Sequence, residues 1–202
     1  MVVHAAAKAL ACPHVDLVAV STDDVILLQE KVPQFKSKLF EDRFYLIQRS
    51  GPACHPDAAV YSIVQDTLRL LAEHGVVRQS VTHLVMMQPN VPTIPQDVVD
   101  RLVKAVVLED YNVARHFDTS GAQTGGCIAY KFAAFQSAML MDAYNYAVIT
   151  PDLEVHTEED LIMAEQALKM RSSTRDKDHP YGDVEALQST NVEGYRHGPG
   201  PS

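Results

Sequence analysis

The segment from Glu154 to Leu161 concentrates ionisable side chains at the junction between a predicted strand and the last predicted helix. Thr157 and Asp160 have the spacing of a capping box, in which a hydroxyl and a carboxylate satisfy backbone N–H groups at a helix start. Glu154 and His156 precede this cap, and residues two apart in a strand point to the same face. The pair is therefore the first place in the chain to look for a metal site.

Other polar residues follow predicted strands. Gln88 ends an apolar strand beside a proline-rich loop, a position that faces the crevice in open α/β sheets, so we expect it to be functional. Asp23 follows the first strand, where a helix cap and a nucleotide contact explain it equally well. Arg49 follows the second strand and is as readily a solvated surface charge as a phosphate ligand. Asp57 is better explained as the N-cap of the long helix after it.

Apolar runs alternate with longer amphipathic runs through most of the chain. This alternation is typical of βα units, and it predicts an α/β fold with a mainly parallel sheet and flanking helices. The predicted strands are 15–20, 44–48, 83–88, 111–117, 126–132 and 146–150. The predicted helices are 2–11, 23–31, 57–73, 96–109, 133–141 and 157–170. The polar, glycine-containing loop 118–125 is a candidate lining of a site.

The composition of the 202 residues, 47% apolar and 21% charged, is that of a globular protein. We expect one domain over 1–171 and a polar, mobile tail over 172–202. The formal charge of -9 argues against a nucleic-acid polymer as partner, because phosphate binding needs clustered Lys and Arg. Widely spaced cysteines without a CxxC motif indicate a reducing, cytoplasmic setting, and no apolar run is long enough to span a membrane.

Two common enzyme classes lack their sequence signatures in this chain. There is no GxSxG motif, which would indicate the nucleophile elbow of a hydrolase. There is also no GxGxxG motif, which would indicate a dinucleotide-binding loop. The histidines other than His156 are scattered without HxH or HExxH spacing, so we interpret them as structural or exposed.

Four segments, taken in order, carry a resemblance to a known family. Residues 16–24 (DLVAVSTDD) are similar to a strand that ends in Ser-Thr-Asp, and residues 84–92 (LVMMQPNVP) to one that ends in Leu-Gln-Pro-Thr-Ser-Pro. Arg49 and Asp57 are similar to an arginine and an aspartate before a long helix. Residues 155–161 (VHTEEDL) resemble Ile-Asp-Thr-Glu-Glu-Asp-Leu most specifically. Together these segments resemble the acylneuraminate (CMP-sialic acid synthetase) family of cytidylyltransferases.

The resemblance implies a Rossmann-like nucleotidyltransferase fold. It also implies transfer of CMP from CTP to an acidic, sialic acid-like sugar, with release of pyrophosphate and with Mg2+ as cofactor. A homodimer is compatible with it. The implied site residues are Gln88 for catalysis; Thr22, Asp23, Arg49 and Asn90 for the nucleotide; and Glu154 and His156 for the metal. Arg115 and Lys131 lie on the predicted strands that flank the loop 118–125, where they could bind the sugar carboxylate, and a surface role explains them equally well.

Two departures from the family pattern keep other functions open. The family's N-terminal loop, rich in Gly, Arg and Lys and wrapped around the nucleotide phosphates, has no counterpart before the first predicted helix. Glu154-Val155-His156 stands where the family has Asp-x-Asp, and an imidazole is a poor ligand for a hard cation such as Mg2+. One alternative is a non-catalytic relative that serves as a nucleotide- or sugar-binding or oligomerisation module. Another is a nucleotidyltransferase whose acceptor is not acidic.

Overall fold

The computed structural model describes residues 1–29, 43–76, 81–137, 145–152 and 154–174. Its helices are α1 (Val2–Ala11), α2 (Val25–Gln29), α3 (Val60–Glu73), α4 (Gln96–Val107), α5 (Phe132–Gln136) and α6 (Glu158–Thr174), with a short 3-10 helix at Gly51–Cys54. Its strands are β1 (Val18–Thr22), β2 (Phe44–Gln48), β3 (His83–Met86), β4 (Val113–Phe117), β5 (Gln123–Lys131) and β6 (Asn145–Ile149). The predicted α/β class is confirmed, and β2 has the predicted bounds.

The described strands form two sheets. β1 and β2 pair in parallel, and the other sheet is four-stranded with the order β3-β5-β4-β6. In this larger sheet β5 runs antiparallel to both β3 and β4, whereas β4 and β6 are parallel. The prediction of a mainly parallel sheet is therefore wrong for the larger sheet, which is mixed. Because β3, β4 and β6 all run in one direction, their carboxyl ends lie at the same edge.

A tight turn between β4 and β5 explains the antiparallel pairing. Asp118 Oδ1 accepts hydrogen bonds from the backbone N–H groups of Ser120 and Ala122, at 2.8 and 2.9 Å. Gly121 adopts a φ of 85°, which a residue with a side chain rarely does. The Ser120 hydroxyl, which donates to the same oxygen at 2.6 Å, contributes most to lowering the pKa of Asp118, followed by the Ala122 N–H. A connection this short joins antiparallel neighbours, because parallel strands need a long crossover.

Helix α4 is the most deeply buried helix of the described chain. It packs against β3, β4, β5 and β6, while α1 packs against β1 and α4. The buried residues of α4 are Val98, Val99, Leu102, Val103, Ala105 and Val106. Burying each Val or Leu contributes about 1.5–3 kcal/mol, so this face is a main source of stability. Because one apolar core includes Val18 of β1 and Ala114 of β4, the two sheets share a single interior.

The helix starts correct two capping interpretations. Asp24, not Asp23, caps α2, because its Oδ1 accepts hydrogen bonds of 2.9 and 3.2 Å from backbone N–H groups of the first turn. Helix α3 begins after Ala59, so the prediction that Asp57 is its N-cap is wrong. The first error arises because Ser21, Thr22, Asp23 and Asp24 stand side by side and have similar capping propensity. The second arises because two alanines, Ala58 and Ala59, separate Asp57 from the first residue of α3.

Helices α1 and α3 end at their predicted residues, whereas α4 ends at Val107 rather than at 109 and α6 runs beyond 170. Gly75 follows α3 with a φ of 70°, as expected for a glycine that ends a helix. Helix α6 continues to Thr174, past the predicted start of the tail at 172. Residues 175–202, 30–31 and 138–141, which carry the rest of the predicted tail and two predicted helix ends, lie outside the described residues. No helix within the described ranges is long and apolar enough to cross a membrane.

Candidate functional site

Four of the nine predicted site residues lie at one edge of the larger sheet, at the carboxyl ends of its strands. Gln88 and Asn90 follow β3, and Glu154 and His156 follow β6. Since β3 and β6 run in the same direction, both pairs lie at the carboxyl ends of their strands, where ligands bind in open α/β sheets. The structure thus brings together residues that the sequence placed more than sixty positions apart.

A direct hydrogen bond links the two segments. Asn90 Nδ2 donates to Glu154 Oε1 at 3.0 Å, and the backbone N–H of Val155 donates to the Asn90 carbonyl at 2.7 Å. His156 Nε2 lies 3.5 Å from Glu154 Oε2. Asn90 Oδ1 is buried and has no hydrogen-bond partner among the described residues. A carboxylate, an imidazole and an unsatisfied amide oxygen are thus gathered at one point, and all three are donor types found in metal sites.

Two cationic side chains donate hydrogen bonds to backbone carbonyls of the loop that carries Asn90. Lys8 of α1 donates from Nζ to the carbonyl of Pro92 at 2.9 Å and also to that of Ile94. Arg171 of α6 donates from Nη1 to the carbonyl of Thr93. The three acceptor residues are buried, so the cations satisfy carbonyl groups that water does not reach. The loop 89–95 is therefore a fixed support for Asn90.

The predicted capping box holds the backbone next to the candidate metal pair. Thr157 Oγ1 accepts a hydrogen bond of 3.1 Å from the Asp160 N–H, and Asp160 Oδ2 accepts one of 2.9 Å from the Thr157 N–H. Asp160 Oδ2 also accepts one of 3.1 Å from the His156 N–H. These hydrogen bonds hold the pKa of Asp160 below its usual value, and the bond from the His156 N–H has the largest effect on it. The capping prediction is confirmed, and the same cap fixes the backbone of His156.

Gln88 reaches the same edge through contact with β5. Its backbone N–H donates to the carbonyl of Gly125 at 2.9 Å. A Cβ atom built on Gly125 would lie 2.0 Å from Gln88 Oε1, so the glycine leaves the space that the Gln88 side chain occupies. Gln88 is exposed and lies two positions before Asn90. Its amide is therefore accessible to a ligand at this edge.

Thr22, Asp23 and Arg49 form a second group, at the ends of β1 and β2. The Arg49 guanidinium forms an ion pair with the Asp23 carboxylate, and the Arg49 N–H donates to the Thr22 carbonyl at 2.8 Å. Because Asp24 takes the capping role, the Asp23 carboxylate is available for this pair. Arg49 Nε is buried, and it has no hydrogen-bond partner in the part of the chain that the structure describes. Within the described ranges no hydrogen bond or ion pair joins this group to Asn90 and Glu154.

The two predicted sugar ligands lie elsewhere. Lys131 pairs with His83 at the start of β3, whereas Gln88 follows the end of that strand. Five strand residues span roughly 16 Å, so Lys131 lies far from Gln88. Its Nζ bonds to Asp110 Oδ1 at 2.6 Å, and a cavity of about 630 Å³ opens beside it, away from the Asn90 edge. Arg115 lies in the middle of β4. No bound ligand tests any of these roles, so they stay predictions.

A buried polar cluster at the same edge escaped sequence reasoning. His116 is fully buried in β4, and both ring nitrogens contact threonine hydroxyls, Thr124 at 2.5 Å and Thr150 at 2.6 Å. The Asp152 carboxylate lies 3.3 Å from the ring. The available signal was one histidine within a short apolar strand, which motif spacing does not detect. His116 is structural, as expected of a scattered histidine, but it lies beside the candidate site.

The donor set decides what metal this edge can hold. No group of three or more His, Cys, Asp and Glu with metal-binding geometry occurs in the part of the chain that the structure describes. An ion here would therefore draw on Glu154 and His156, with the Asn90 amide, water or ligand oxygens completing its shell. Mg2+ favours an all-oxygen shell and keeps several waters, whereas imidazole suits softer divalent ions. The residues fit a divalent cation, and His156 favours one that accepts nitrogen.

Comparison with known proteins identifies the fold. The chain superposes on an Rv0371c homologue from Mycobacterium sp. strain JC1 with a TM-score of 0.55, at 14% identity over 83% of each chain. It superposes on Rv0371c from Mycobacterium tuberculosis H37Rv in complex with manganese with a TM-score of 0.52, at 12% identity over 82% of this chain and 87% of that one. The chain shares the Rv0371c fold. At these identities the likeness concerns the fold alone.

One further solved structure shows a weaker likeness to the chain. Molybdopterin-guanine dinucleotide biosynthesis protein A from Archaeoglobus fulgidus gives a TM-score of 0.45 at 12% identity, over 75% of this chain and 78% of that one, a score from which we argue nothing. No family model matches the chain, and no curated protein sequence matches it.

Proposed function

We propose that the chain is a nucleotidyltransferase that binds a nucleoside triphosphate with a divalent cation at the Asn90–Glu154 edge. The observation that carries this proposal is the hydrogen bond from Asn90 Nδ2 to Glu154 Oε1, with His156 3.5 Å from the same carboxylate. It joins a metal-ligating group to a rigid loop at the carboxyl ends of β3 and β6. Nucleotidyl transfer needs such an edge, since a cation must hold the phosphates and neutralise developing charge.

Glu154 and His156 are the proposed metal ligands, and Gln88 and Asn90 the groups that contact the nucleotide beside them. The bound ion would supply charge neutralisation for the triphosphate. The chain's own residues orient the reactants: the fixed loop 89–95 presents Asn90, and the cap at Thr157 presents His156. The manganese complex of Rv0371c supports a divalent ion in this fold without specifying it here. Mg2+, which the family resemblance implies, is the competing ion.

CTP and an acidic sugar are the proposed substrates, on the strength of the family resemblance. Thr22, Asp23 and Arg49 are the proposed second nucleotide contact. Because Arg49 is paired with Asp23, a phosphate would have to replace the carboxylate as its partner. The sugar contacts at Arg115 and Lys131 are proposed only because their strands flank the loop 118–125, and Lys131 lies beside the far end of β3.

Calorimetric titration tests the proposal. The chain is titrated with CTP, UTP, ATP and GTP, each without metal, with Mg2+ and with Mn2+. We expect metal-dependent binding that favours CTP, and pyrophosphate release when N-acetylneuraminate is added. No binding of any nucleotide at millimolar concentration would overturn the proposal. Binding without pyrophosphate release would favour the non-catalytic binding module.

A further inference from the structure

A chain of hydrogen bonds crosses the protein interior behind the Asn90–Glu154 edge. We call Thr124, His116, Thr150, Asp152 and Arg171 the His116 chain. His116 contacts Thr124 and Thr150 through its two ring nitrogens, and Thr150 Oγ1 donates to Asp152 Oδ2. Arg171 Nη2 donates to Asp152 Oδ1 at 3.4 Å. The His116 and Asp152 side chains are fully buried, so the links replace water that cannot reach them.

The Asp152 carboxylate sets the direction of the links. An ionised carboxylate only accepts, so the Thr150 hydroxyl proton points to Asp152 Oδ2. Thr150 Oγ1 then accepts from His116 Nε2, which carries the ring proton. A neutral ring accepts at Nδ1 from the Thr124 hydroxyl, whose oxygen also accepts from the Gly126 N–H at 3.3 Å. With a neutral His116, each group of the chain has one defined role, from a backbone donor at one end to a carboxylate at the other.

The fit around the His116 ring is close. A Cβ atom on Gly126 would lie 3.0 Å from His116 Nδ1 and 3.2 Å from Val91 Cβ. Glycine at this position is what lets the His116 ring and Val91 both pack closely against β5. Gly126 therefore contacts both the ring and the loop that carries Asn90.

One end of the His116 chain, formed by Asp152 and Arg171, is connected to both segments of the candidate metal site. Asp152 lies two residues before Glu154, and Arg171 also donates to the carbonyl of Thr93, within the loop of Asn90. The Arg171 side chain thus connects the two segments that Asn90 and Glu154 join directly. Burial alone does not explain this arrangement, since apolar side chains often replace buried ion pairs without loss of stability.

We propose that the His116 chain positions Glu154 against Asn90, and that Thr150, His116, Asp152 and Arg171 are positioning residues for the divalent cation. This inference rests on the proposed function. Outer-shell residues of this kind orient metal ligands in many proteins, and their loss typically lowers metal affinity about 10–100-fold. None of these four residues contacts the ion itself.

Thr150 offers a matched pair of variants. Thr150→Val keeps the shape and removes the hydroxyl link, whereas Thr150→Ser keeps the hydroxyl. The first readout is Mn2+ affinity, measured by electron paramagnetic resonance of free Mn2+. The second is hydrogen exchange of the Val155 amide, which donates to the Asn90 carbonyl. We expect Thr150→Val to weaken Mn2+ binding about tenfold and to speed Val155 exchange, and Thr150→Ser to resemble the wild type.

The two readouts separate the possible failures. If Thr150→Val folds and changes neither Mn2+ affinity nor Val155 exchange, the positioning role is wrong. If the wild type binds no Mn2+ or Mg2+, the metal site of the proposed function is wrong, and Val155 exchange still decides whether the chain positions this segment. If Thr150→Val does not fold, Arg171→Gln and Arg171→Lys replace the pair, because the Arg171 side chain is 45% exposed. Equal Val155 exchange in both Arg171 variants and the wild type would then overturn the inference.

Discussion

Asn90 donates a hydrogen bond of 3.0 Å to Glu154, 64 positions further along the chain. The bond spans the carboxyl ends of β3 and β6, and the N–H of Val155 returns to the Asn90 carbonyl beside it. Two segments that sequence treats separately therefore form one unit.

Glu154→Gln should weaken Mn2+ and metal-dependent CTP binding by about tenfold or more, because it removes the anionic ligand. The amide oxygen of the new side chain can still accept the Asn90 hydrogen bond, so the fold is retained. Calorimetry measures both affinities. Glu158→Gln is the matched control, since Glu158 is exposed in the first turn of α6. Equal affinities in wild type and Glu154→Gln would remove Glu154 from the site.

His156→Asp should strengthen Mg2+-dependent CTP binding, because it replaces a nitrogen donor by a hard oxygen donor beside Glu154. It should also lower the preference for Mn2+ over Mg2+. Titration with each metal in turn gives the two dissociation constants. His14→Asp, at another exposed histidine, controls for added negative charge. An unchanged metal preference would show that His156 serves only the helix entry.

Arg49→Met should weaken CTP binding by about 1.5–3 kcal/mol if Arg49 bonds a phosphate, since hydrogen bonds to charged groups have that magnitude. Its effect on stability should be small, because partly exposed ion pairs contribute roughly 0–1 kcal/mol. Binding and urea unfolding are measured on the same preparation. Arg69→Met, which removes an exposed arginine from α3, should leave CTP binding unchanged. Loss of stability without loss of binding would make Arg49 structural.

Gly126→Ala should lower the free energy of unfolding by about 1–3 kcal/mol, because its Cβ would press on the His116 ring and on Val91, which are held by their surroundings. Gly125→Ala is the matched comparison. There the atoms nearest to the added methyl group belong to the flexible Gln88 side chain, which can move away. Denaturant unfolding of both variants is the measurement. A Gly125→Ala variant as unstable as Gly126→Ala would contradict the close fit at His116.

Acid should weaken the α6 cap. Hydrogen bonds hold the pKa of Asp160 below its unfolded value of about 4. Its stabilising contribution is therefore fully present above about pH 4 and is lost as the pH falls through the lowered pKa. The stability difference between wild type and Asp160→Asn should shrink across that window, as followed by denaturant unfolding at several pH values. A difference independent of pH would mean that the ionised carboxylate does not form the cap.

Sequence patterns located the helices and strands more accurately than they predicted strand directions and helix caps. Apolar periodicity placed β2 and α1 correctly, because both are short runs with clear ends. The capping box followed from local spacing at Thr157. The antiparallel direction of β5 was missed, although Asp118 and Gly121 had the residue types of a tight turn, because the strands were interpreted as βα units. The cap on α2 moved by one residue, since neighbouring aspartates have the same propensity.

The candidate site shows the same limit. Residue types and spacing pointed to Gln88 and Glu154, and the family resemblance pointed to Asn90, but the contact between Asn90 and Glu154 depends on strand order. Lys131 was paired with the site because it follows the glycine loop in sequence. A nine-residue strand carries it to the other end of the sheet. The only sequence signal of the His116 chain was one histidine in a short apolar strand, because its hydrogen bonds join residues on separate elements.

The clamp on loop 89–95 has a consequence for fragments of this protein. Lys8 and Arg171 donate hydrogen bonds to the loop from helices near opposite ends of the described chain. They lie 84 and 78 positions away from their acceptors. A synthetic peptide spanning 150–174 would keep the capping box and both proposed metal ligands in sequence. The peptide would lack Asn90 and the loop that carries it, so nothing would position Glu154. Any metal affinity that the peptide showed would be that of an unstructured acidic peptide.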